Sequence, residues 1–521
     1  LSILMVGIFF RTYHFREWMT FNPDQARDAL LVQDMLDGKV WPLLGPQAGN
    51  THFSLGPIFY YFEYASASMF GRTADTMAYP DLLFSVGTLV LMYCFLKKFF
   101  RERLSLALLS LFSISFFVVT YSRFAFNPNS IPFFTLLFLL SLLAILDHAP
   151  REKLLWSALL GISMGVGFQL HTILFLALPF LALLVFGYLL FRWQFLWKSF
   201  LVTIIFFFLA NAGQVLSEYQ TGGSNMRSFF SEAGTSSGGL GRNFGRNLSD
   251  DILCHIQGYT YMLSSLGSGD KCDLPGLESR IRKKGFVFTL GRIAVGVFGA
   301  VFTLGGWILF FSSLREETNL KRKRAMAVTG AYALIIFATL LSVASGISIR
   351  YFIVVEFMPF LLLGFWIRFF QKNMPRIFSS RGVSGVILLF VGLNLWTITD
   401  AVSAYREGRA STDNVAVYGE VEVMSRYILG QSASSRQVFL AGKSAYLSRY
   451  GKPLEYFAKQ EGVILGKVHQ AKSVSAGAPF FYILKKVSPK NPLPEMVDGF
   501  GTTQGATFGN VSILELVRKV E

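Results

Sequence analysis

The sequence contains little charge for its length. Only 15% of its 521 residues are Asp, Glu, Lys or Arg, whereas a soluble protein of this size would carry about 25%. In contrast, 52% of the residues are hydrophobic and 54 are Phe, more than one globular core needs. These proportions exclude a disordered protein, a fibrous protein and an ordinary cytosolic enzyme. They indicate a polytopic membrane protein.

Several catalytic motifs are also missing from the sequence. It contains no Walker phosphate loop, no paired Cys-x-x-Cys, no His-Glu-x-x-His and no nucleophile elbow. ATP-driven transport and zinc proteolysis therefore lack their usual signatures.

Long uncharged segments recur along the first 400 residues. A helix of about 17–25 such residues can cross the hydrocarbon core. We predict about eleven spans, at residues 1–10, 82–96, 104–120, 130–146, 154–170, 172–191, 199–215, 293–314, 326–349, 352–367 and 383–399. Residues 1–10 are expected to be the end of a span that begins before this sequence. A signal peptide is the alternative, but a basic start and a small-residue cleavage site are both lacking.

The short loops with the most Lys and Arg alternate along the chain. Five loops, at residues 97–103, 147–153, 192–198, 315–324 and 368–381, hold 17 basic and 5 acidic residues. Because basic loops stay in the cytoplasm, this pattern places the amino terminus inside. The basic residues between 280 and 292 oppose it, although long loops cross largely regardless of charge. The high net charge of +16 thus reflects membrane topology, and a nucleic-acid partner is not expected.

Three regions are then predicted outside the membrane: residues 11–80, residues 217–284 and the tail. We expect a membrane domain at 1–401 and a small extracytoplasmic α/β domain at 402–521, with strands near 438–441 and 480–484 and a helix near 421–429. Cys254 and Cys272 share the second outer loop. An oxidising compartment would permit a disulfide between them, and two free thiols are the alternative.

The first outer region opens with Asn22-Pro23-Asp24-Gln25-Ala26-Arg27-Asp28. Asn followed by Pro is typical of a helix start. Asp24 would then lie at the helix amino terminus, where the backbone dipole favours a carboxylate. On spacing alone it is either a capping residue or a functional acid.

The same region continues with Leu43-Leu44-Gly45-Pro46, Thr51 to Pro57 and Phe59-Tyr60-Tyr61. Gly-Pro pairs mark turns. Tyr60 and Tyr61 suit an aromatic belt at the membrane interface or a binding site. His52 is a candidate ligand for substrate or metal, although a lone loop histidine is usually neither.

Other predicted outer ends carry polar residues at the same depth. They include Arg123 and Asn127, Gln169 and His171, Gln214 and Glu218, and Arg350. One arginine at a helix end can simply reach into water. With the first outer region these make five segments, which together indicate a site for an anionic, partly apolar ligand, with arginines facing a phosphate. Glu356 is either the ion partner of these arginines or a functional acid.

These motifs resemble those of bacterial members of glycosyltransferase family 39. The resemblance rests on Asp24 to Ala29, Leu43 to Pro46, Gly56-Pro57 with Tyr60-Tyr61, Ser122 to Pro128, Gln169 to His171, the Glu218 segment and Arg350-Tyr351. It covers roughly residues 1–400. It implies the GT-C fold of the protein-mannosyltransferase-like and aminoarabinose-transferase-like membrane enzymes.

The resemblance also implies an activity. It predicts an inner-membrane, multi-pass transferase that takes sugar from a polyprenyl-phosphate donor to a hydroxyl acceptor on the extracytoplasmic face, with inversion. The family's acidic residue in the first outer loop, the catalytic base, corresponds to Asp24. Substrate and phosphate binding would involve Arg27, His52, Tyr60, Tyr61, Arg123, Asn127, His171, Glu218 and Arg350.

Two departures from the family pattern change the expected chemistry. Gln25 stands where many relatives have Glu. The Glu-Lys-Pro of aminoarabinose transferases, which supplies a metal ligand and a phosphate-binding lysine, is replaced around Ser54 to Pro57. Phosphate binding would therefore fall to Arg27, Arg123 or Arg350, and a divalent metal is left open.

Two other functions are compatible with a multispan chain. A transporter or flippase for a lipid-linked or soluble sugar would usually show paired halves and interrupted helices near the midplane, whereas here the polar groups lie at one surface. An enzyme that polymerises or ligates surface glycans would rely on Arg and His in a late loop, without an acid in the first.

Overall fold

The structure is a computed structural model that describes residues 1–49, 51–147, 150–267, 272, 286–431, 436–467, 479–487, 496–497 and 500–518. It is mostly helical, with one sheet near the carboxyl end.

The helices of the first half are, in chain order, α1 (Ser2–Thr12), α2 (Phe15–Trp18), α3 (Pro23–Leu36), α4 (Ile58–Phe70), α5 (Ala74–Met77), α6 (Tyr79–Leu96), α7 (Glu102–Ile114), α8 (Phe116–Thr120), α9 (Ile131–Asp147), α10 (Pro150–Leu170), α11 (Thr172–Phe191), α12 (Trp197–Ala210), α13 (Ala212–Thr221) and α14 (Ser224–Ser264). The second half continues with α15 (Phe286–Glu316), α16 (Leu320–Leu340), α17 (Met358–Asn373), α18 (Ser380–Arg406), α19 (Tyr418–Gly430) and α20 (Ser444–Gln460). Short 3₁₀ helices lie at Asn127–Ser130, Leu341–Gly346 and Ile349–Val355.

Seven of the described helices are long and apolar enough to cross a membrane, and two bent helix pairs raise the number to nine. The predicted membrane fold is confirmed, and the number eleven stays a prediction. Two predicted spans account for the difference. The first apolar helix, Ser2–Thr12, is short, and the span predicted at 104–120 is interrupted at Ser115 between α7 and α8.

The two bent pairs have local causes. α12 meets α13 at 69°, where the amide of Asn211 donates to the carbonyls of Gly165 and Phe207 at 3.3 and 2.8 Å. The 3₁₀ helix Ile349–Val355 meets α17 at 66°. Pro359 lies in the first turn of α17, and because proline has no N–H it cannot continue the preceding hydrogen-bond ladder.

Helix α14 is the largest difference from the sequence prediction. We expected a loop at 217–284, but residues Ser224–Ser264 form one helix of 41 residues. Its charged and glycine residues keep its hydropathy low, so a rule based on apolar length does not detect it. Its end is nevertheless buried, at Cys254, Tyr259 and Met262. Cys254 is joined to Cys272 by a disulfide. The predicted basic residues 280–284 lie outside the described residues.

The carboxyl-terminal part forms a six-stranded sheet. Its strands are β1 (Gln437–Gly442), β2 (Ile464–Lys467), β3 (Phe480–Lys485), β4 (Met496–Val497), β5 (Phe500–Phe508) and β6 (Val511–Arg518), in the order β2-β1-β3-β6-β5-β4. The first three strands are parallel and the others pair antiparallel. The predicted small α/β domain is therefore confirmed, with its predicted strands and helix at β1, β3 and α19. The boundary at 401/402 stays a prediction.

This domain docks directly on the start of α3. Thr20 forms an isolated antiparallel bridge with Val417. The Phe21 N–H donates to the Ala416 carbonyl at 2.8 Å, and the Tyr418 N–H donates to that of Met19 at 3.0 Å. These backbone bonds fix where α3 begins relative to the tail.

The chain between α3 and α4 folds back on itself. The Gly45 N–H donates to the Leu55 carbonyl at 2.8 Å, and the Leu55 N–H donates to that of Pro46 at 3.0 Å. A β-carbon on Gly45 would lie 2.1 Å from the Gly56 carbonyl oxygen, so only glycine permits this approach. The turn fixes the path from the end of α3 to the start of α4.

Candidate functional site

Asn22 caps helix α3 and ties it to the tail domain. Its backbone N–H donates to Gln25 Oε1 at 3.1 Å, and its side chain accepts from the backbone of Gln25, which completes a capping box. Its Oδ1 also accepts from the Ala416 N–H at 2.9 Å. The cap requires only a side-chain oxygen at position 25, which Gln supplies as well as Glu. The departure at Gln25 therefore leaves the helix start intact.

Asp24 follows this cap in the first turn of α3, and its side chain is 55% exposed. One carboxylate oxygen, Oδ1, accepts from Arg27 Nη1 at 3.1 Å. Within the part of the chain that the structure describes, the other oxygen has no protein partner. This leaves one oxygen of the predicted base open to a ligand.

Arg27 connects Asp24 to a buried carboxylate. Its Nε and Nη2 donate to the two oxygens of Asp28 at 2.8 and 3.1 Å, a bidentate geometry that orients the guanidinium plane. The Tyr60 hydroxyl also donates to Asp28 Oδ1, at 3.2 Å. Asp28 thus orients Arg27, and Arg27 in turn holds Asp24.

A second buried acid lies beside this group. Glu63 is 1% exposed, and its Oε2 has no hydrogen-bond partner. Burial, together with the charges of Asp28 and Asp81, raises the pKa of Glu63 well above its usual range. Burial likewise raises the pKa of Asp28 to about 6, and the charge of Arg27 opposes this rise. The site therefore pairs one charged carboxylate with Arg27 and favours the neutral form of Glu63.

These side chains do not fit a divalent metal. Both oxygens of Asp28 are occupied by Arg27, whose positive charge would repel a cation. Among the described residues no three His, Cys, Asp or Glu side chains are arranged to hold a metal ion.

His171, Asn127, Arg350 and Tyr351 form a second group between the spanning helices. His171 caps α11, with its Nδ1 accepting from the Ile173 N–H at 3.2 Å. Its ring packs edge-on against Tyr351 at 5.4 Å, and the Arg350 guanidinium lies over the same Tyr351 ring at 5.8 Å. The Asn127 amide donates to the Leu170 carbonyl at 2.8 Å. Three predicted segments thus come together here, with Arg350 exposed.

Arg123 lies elsewhere, at the end of α1. Its guanidinium donates to the backbone carbonyls of Phe10 at 2.8 Å, Tyr13 at 2.7 Å and His14 at 3.1 Å. These bonds hold the chain as it leaves α1. The phosphate-binding role predicted for Arg123 stays a prediction.

The remaining predicted residues are dispersed. The Tyr61 hydroxyl donates to the Pro42 carbonyl at 2.7 Å, and its ring stacks on Trp41. His52 is exposed, and within the described residues its ring forms no hydrogen bond. Its backbone N–H donates to Glu232 Oε1 at 3.3 Å. Glu218 Oε2 accepts from the Met226 N–H at 3.4 Å.

Glu356 was expected to be either the ion partner of the outer arginines or a functional acid, and both alternatives stay predictions. In the structure this carboxyl is buried, and the charge that acts on it is the Arg11 guanidinium. Arg11 is fully buried and donates to Ser85 Oγ at 2.9 Å and to the Ser113 carbonyl at 2.7 Å. Because Arg11 belongs to α1, distant in sequence, residue spacing gave no signal of this electrostatic interaction.

Sequence reasoning also missed the roles of Asp28, Glu63 and Gln169. Gln169 accepts from the Ile58 N–H at 3.2 Å and donates to the Ala210 carbonyl at 2.8 Å, so it joins α4, α10 and α12. The available signal for Glu63 was its position three residues after Tyr60, which places both on one helix face.

The raised pKa of Asp28 predicts a pH-dependent stability. The folded pKa of about 6 exceeds the ordinary value of about 3.9, so the folded state binds the proton more tightly. The free energy of unfolding should fall as pH rises from about 4 to 6, by roughly 2–3 kcal/mol. The measurement is Tm between pH 4 and 7 for the wild type and Asp28→Asn, with wild-type Tm falling relative to the variant.

Asp34 provides a control of opposite sign. Hydrogen bonding from Lys459 lowers the pKa of Asp34, so its stabilisation is present above the ordinary pKa and is lost as pH falls. Wild-type Tm should therefore rise relative to Asp34→Asn as pH increases from below towards the ordinary pKa of about 3.9, and the difference should stay level above that pH. Parallel Tm curves for wild type and Asp28→Asn would contradict the role given to Asp28.

The fold and the site together define a class of protein: a multi-pass membrane protein with the GT-C fold of glycosyltransferases. Residues 54–213 match the family of dolichyl-phosphate-mannose-protein mannosyltransferases. The chain is also similar to an undecaprenyl phosphate-alpha-4-amino-4-deoxy-L-arabinose arabinosyl transferase of Wigglesworthia glossinidia brevipalpis, with 27% identity over 181 residues. That alignment covers 34% of this chain and 31% of the relative.

The structural comparison extends over nearly the whole chain. Crystal structures of ArnT from Cupriavidus metallidurans, bound to undecaprenyl phosphate and in the apo state, both superpose with a TM-score of 0.55. Each match covers 99% of this chain and 96% of ArnT, at 12% and 13% identity. At this identity the likeness shows the fold. The predicted resemblance to glycosyltransferase family 39 is confirmed. The family match begins at residue 54, so the roles of Asp24 and Arg27 stay predictions.

Proposed function

We propose that this protein is an integral-membrane glycosyltransferase. It transfers a sugar from a polyprenyl-phosphate-linked donor to a hydroxyl acceptor, with inversion at the anomeric carbon. The observation that carries the proposal is Asp24 within a GT-C fold: an exposed carboxylate at a helix amino terminus, held through one oxygen by Arg27.

Asp24 acts as the general base. Its open oxygen accepts the proton of the acceptor hydroxyl as the acceptor oxygen forms a bond to the anomeric carbon. The bond from that carbon to the phosphate oxygen breaks, and the polyprenyl phosphate leaves with the electron pair. A positioned base contributes typically ~10²–10⁴ in rate. No nucleotide is required, because the activated bond is already on the lipid.

Arginine charge stabilises the leaving phosphate. Negative charge develops on the phosphate as the sugar departs, and preorganised cations at that position supply a large part of catalysis. Arg350, exposed next to His171 and Tyr351, is the proposed phosphate contact. Arg27 is held in place by Asp28, and its role is to orient Asp24.

The proposed location is the inner membrane, with Asp24 and the tail domain on the extracytoplasmic face. The support is the distribution of Lys and Arg, because the five most basic short loops alternate with the regions that hold Asp24 and the tail, and basic loops remain cytoplasmic. The sugar carrier would then reach the site with its isoprenoid chain in the hydrocarbon.

The proposal is tested with the full chain purified into lipid nanodiscs. The nanodiscs are supplied with polyprenyl-phosphate sugars radiolabelled in the sugar, together with cell-envelope acceptors. We expect label to appear on an acceptor as free polyprenyl phosphate accumulates in equal amount. In proteoliposomes, movement of the lipid-linked sugar across the bilayer without any transfer would overturn the proposal in favour of a flippase.

A further inference from the structure

A cleft lies between the end of α1, helix α8 and the end of α18. Its volume is about 370 Å³, within the range of roughly 300–1,000 Å³ that is common for small-molecule sites. Its lining includes Phe9, Arg123, Ile398, Ala401, Val402 and Arg406. None of these residues belongs to the Asp24, Arg27 and Asp28 group, so the cleft is a separate feature.

The wall of the cleft changes from apolar to polar along α18. Ile398 and Val402 line it within the apolar helix, and Phe9 of α1 is 52% exposed beside it. Further along α18, Tyr405 stacks on Trp18 with ring centroids 5.1 Å apart and planes at 7°. Aromatic rings of this kind are typical of the boundary between hydrocarbon and headgroups. The cleft therefore spans from a lipid-like to a headgroup-like environment.

Two arginines give the polar end a positive charge. The Arg406 Nη2 donates to the Tyr13 hydroxyl at 3.3 Å, and Arg123 donates only to backbone carbonyls. In the described part of the chain neither guanidinium forms an ion pair with a carboxylate. The carboxylate whose charge reaches Arg123 is that of Glu17, which is 58% exposed and lies 3.6 Å from His14. Two cations beside an apolar cleft favour an anionic ligand.

We propose that this cleft binds an anionic phospholipid of the surrounding bilayer. The lipid phosphate accepts hydrogen bonds from Arg406, and the positive charge of Arg123 in the same cleft also attracts it. One acyl chain lies along Phe9, Ile398 and Val402. The position supports this occupant, because the cleft opens where a spanning helix ends and the chain continues into the tail domain. The inference does not depend on the proposed transfer reaction.

Native mass spectrometry of the full chain released from nanodiscs tests the charge requirement. The probes are dioleoylphosphatidylglycerol and dioleoylphosphatidylcholine at equal concentration. We expect the wild type to retain the anionic lipid preferentially and Arg406→Gln to weaken that binding about fivefold, as expected for one basic residue near a membrane surface. Arg381→Gln removes an exposed arginine at the other end of the same helix and should leave retention unchanged.

A second variant tests the cleft without changing charge. Ala401→Trp fills it and should remove the retained phosphatidylglycerol, whereas Leu388→Trp, at a 66% exposed position on the same helix, should not. A photoactivatable phosphatidylglycerol should label peptides that contain residues 116–123 and 398–406. Equal retention of both lipids by the wild type, or labelling that Ala401→Trp leaves intact, would overturn the proposal. Both readouts report binding, so a failed transfer assay does not affect them.

Discussion

Replacing Asp24 by Asn is expected to reduce sugar transfer by about 10²–10⁴-fold, the usual contribution of a positioned general base. Asn keeps the size of the side chain but cannot accept the acceptor proton. Asp24 is more than half exposed and makes one ion pair, with Arg27 at 3.1 Å. Because exposed ion pairs contribute little to stability, the variant should fold normally. The measurement is the initial rate of label transfer in nanodiscs at saturating donor.

Asp37→Asn is a matched control for this variant. Asp37 lies at the end of the same helix and, like Asp24, pairs with a basic residue, Arg72 at 2.7 Å. Its loss should change transfer less than twofold, because Asp37 lies at the opposite end of α3 from the proposed base. If Asp24→Asn transfers sugar at the wild-type rate while remaining folded, Asp24 is not the base.

Replacing Phe21 by Ala should separate the tail domain from the start of α3. Phe21 is fully buried, and its ring meets those of Tyr418 at 5.2 Å and Tyr456 at 5.1 Å. Removing a buried Phe typically costs about 3–5 kcal/mol. The lost packing energy weakens the contact between the tail domain and Asn22, which caps α3. We therefore expect faster proteolysis between α18 and α19, and sugar transfer reduced at least tenfold.

Phe500→Ala is the control that separates two effects: loss of the contact between the tail domain and α3, and loss of stability within the tail domain itself. Phe500 packs against Phe480 with ring centroids 5.0 Å apart, within the sheet domain. This variant should lower the Tm of the tail while leaving transfer close to the wild-type rate. Undiminished transfer and unchanged proteolysis in Phe21→Ala would show that the tail does not position α3.

The boundaries of secondary structure were predictable wherever apolar length or capping residues govern them. Asn22-Pro23 predicted the start of α3, and the structure begins that helix at Pro23. The same reasoning failed for α14, because its burial depends on neighbouring helices rather than on its own hydropathy. It also missed the bend at Asn211, where a side chain bonds across to α10.

For the site, the sequence alone supplied the residue types and a short motif, Asp24 to Asp28, within one helical turn. Side chains three or four residues apart on a helix are neighbours whatever the rest of the fold does, so the Asp24–Arg27 pair was implicit in the spacing. The bond from Tyr60 to Asp28 and the charge of Arg11 near Glu356 were decided only by the tertiary structure. Tyr60 and Arg11 come from other helices, and a contact between helices depends on how the whole chain packs.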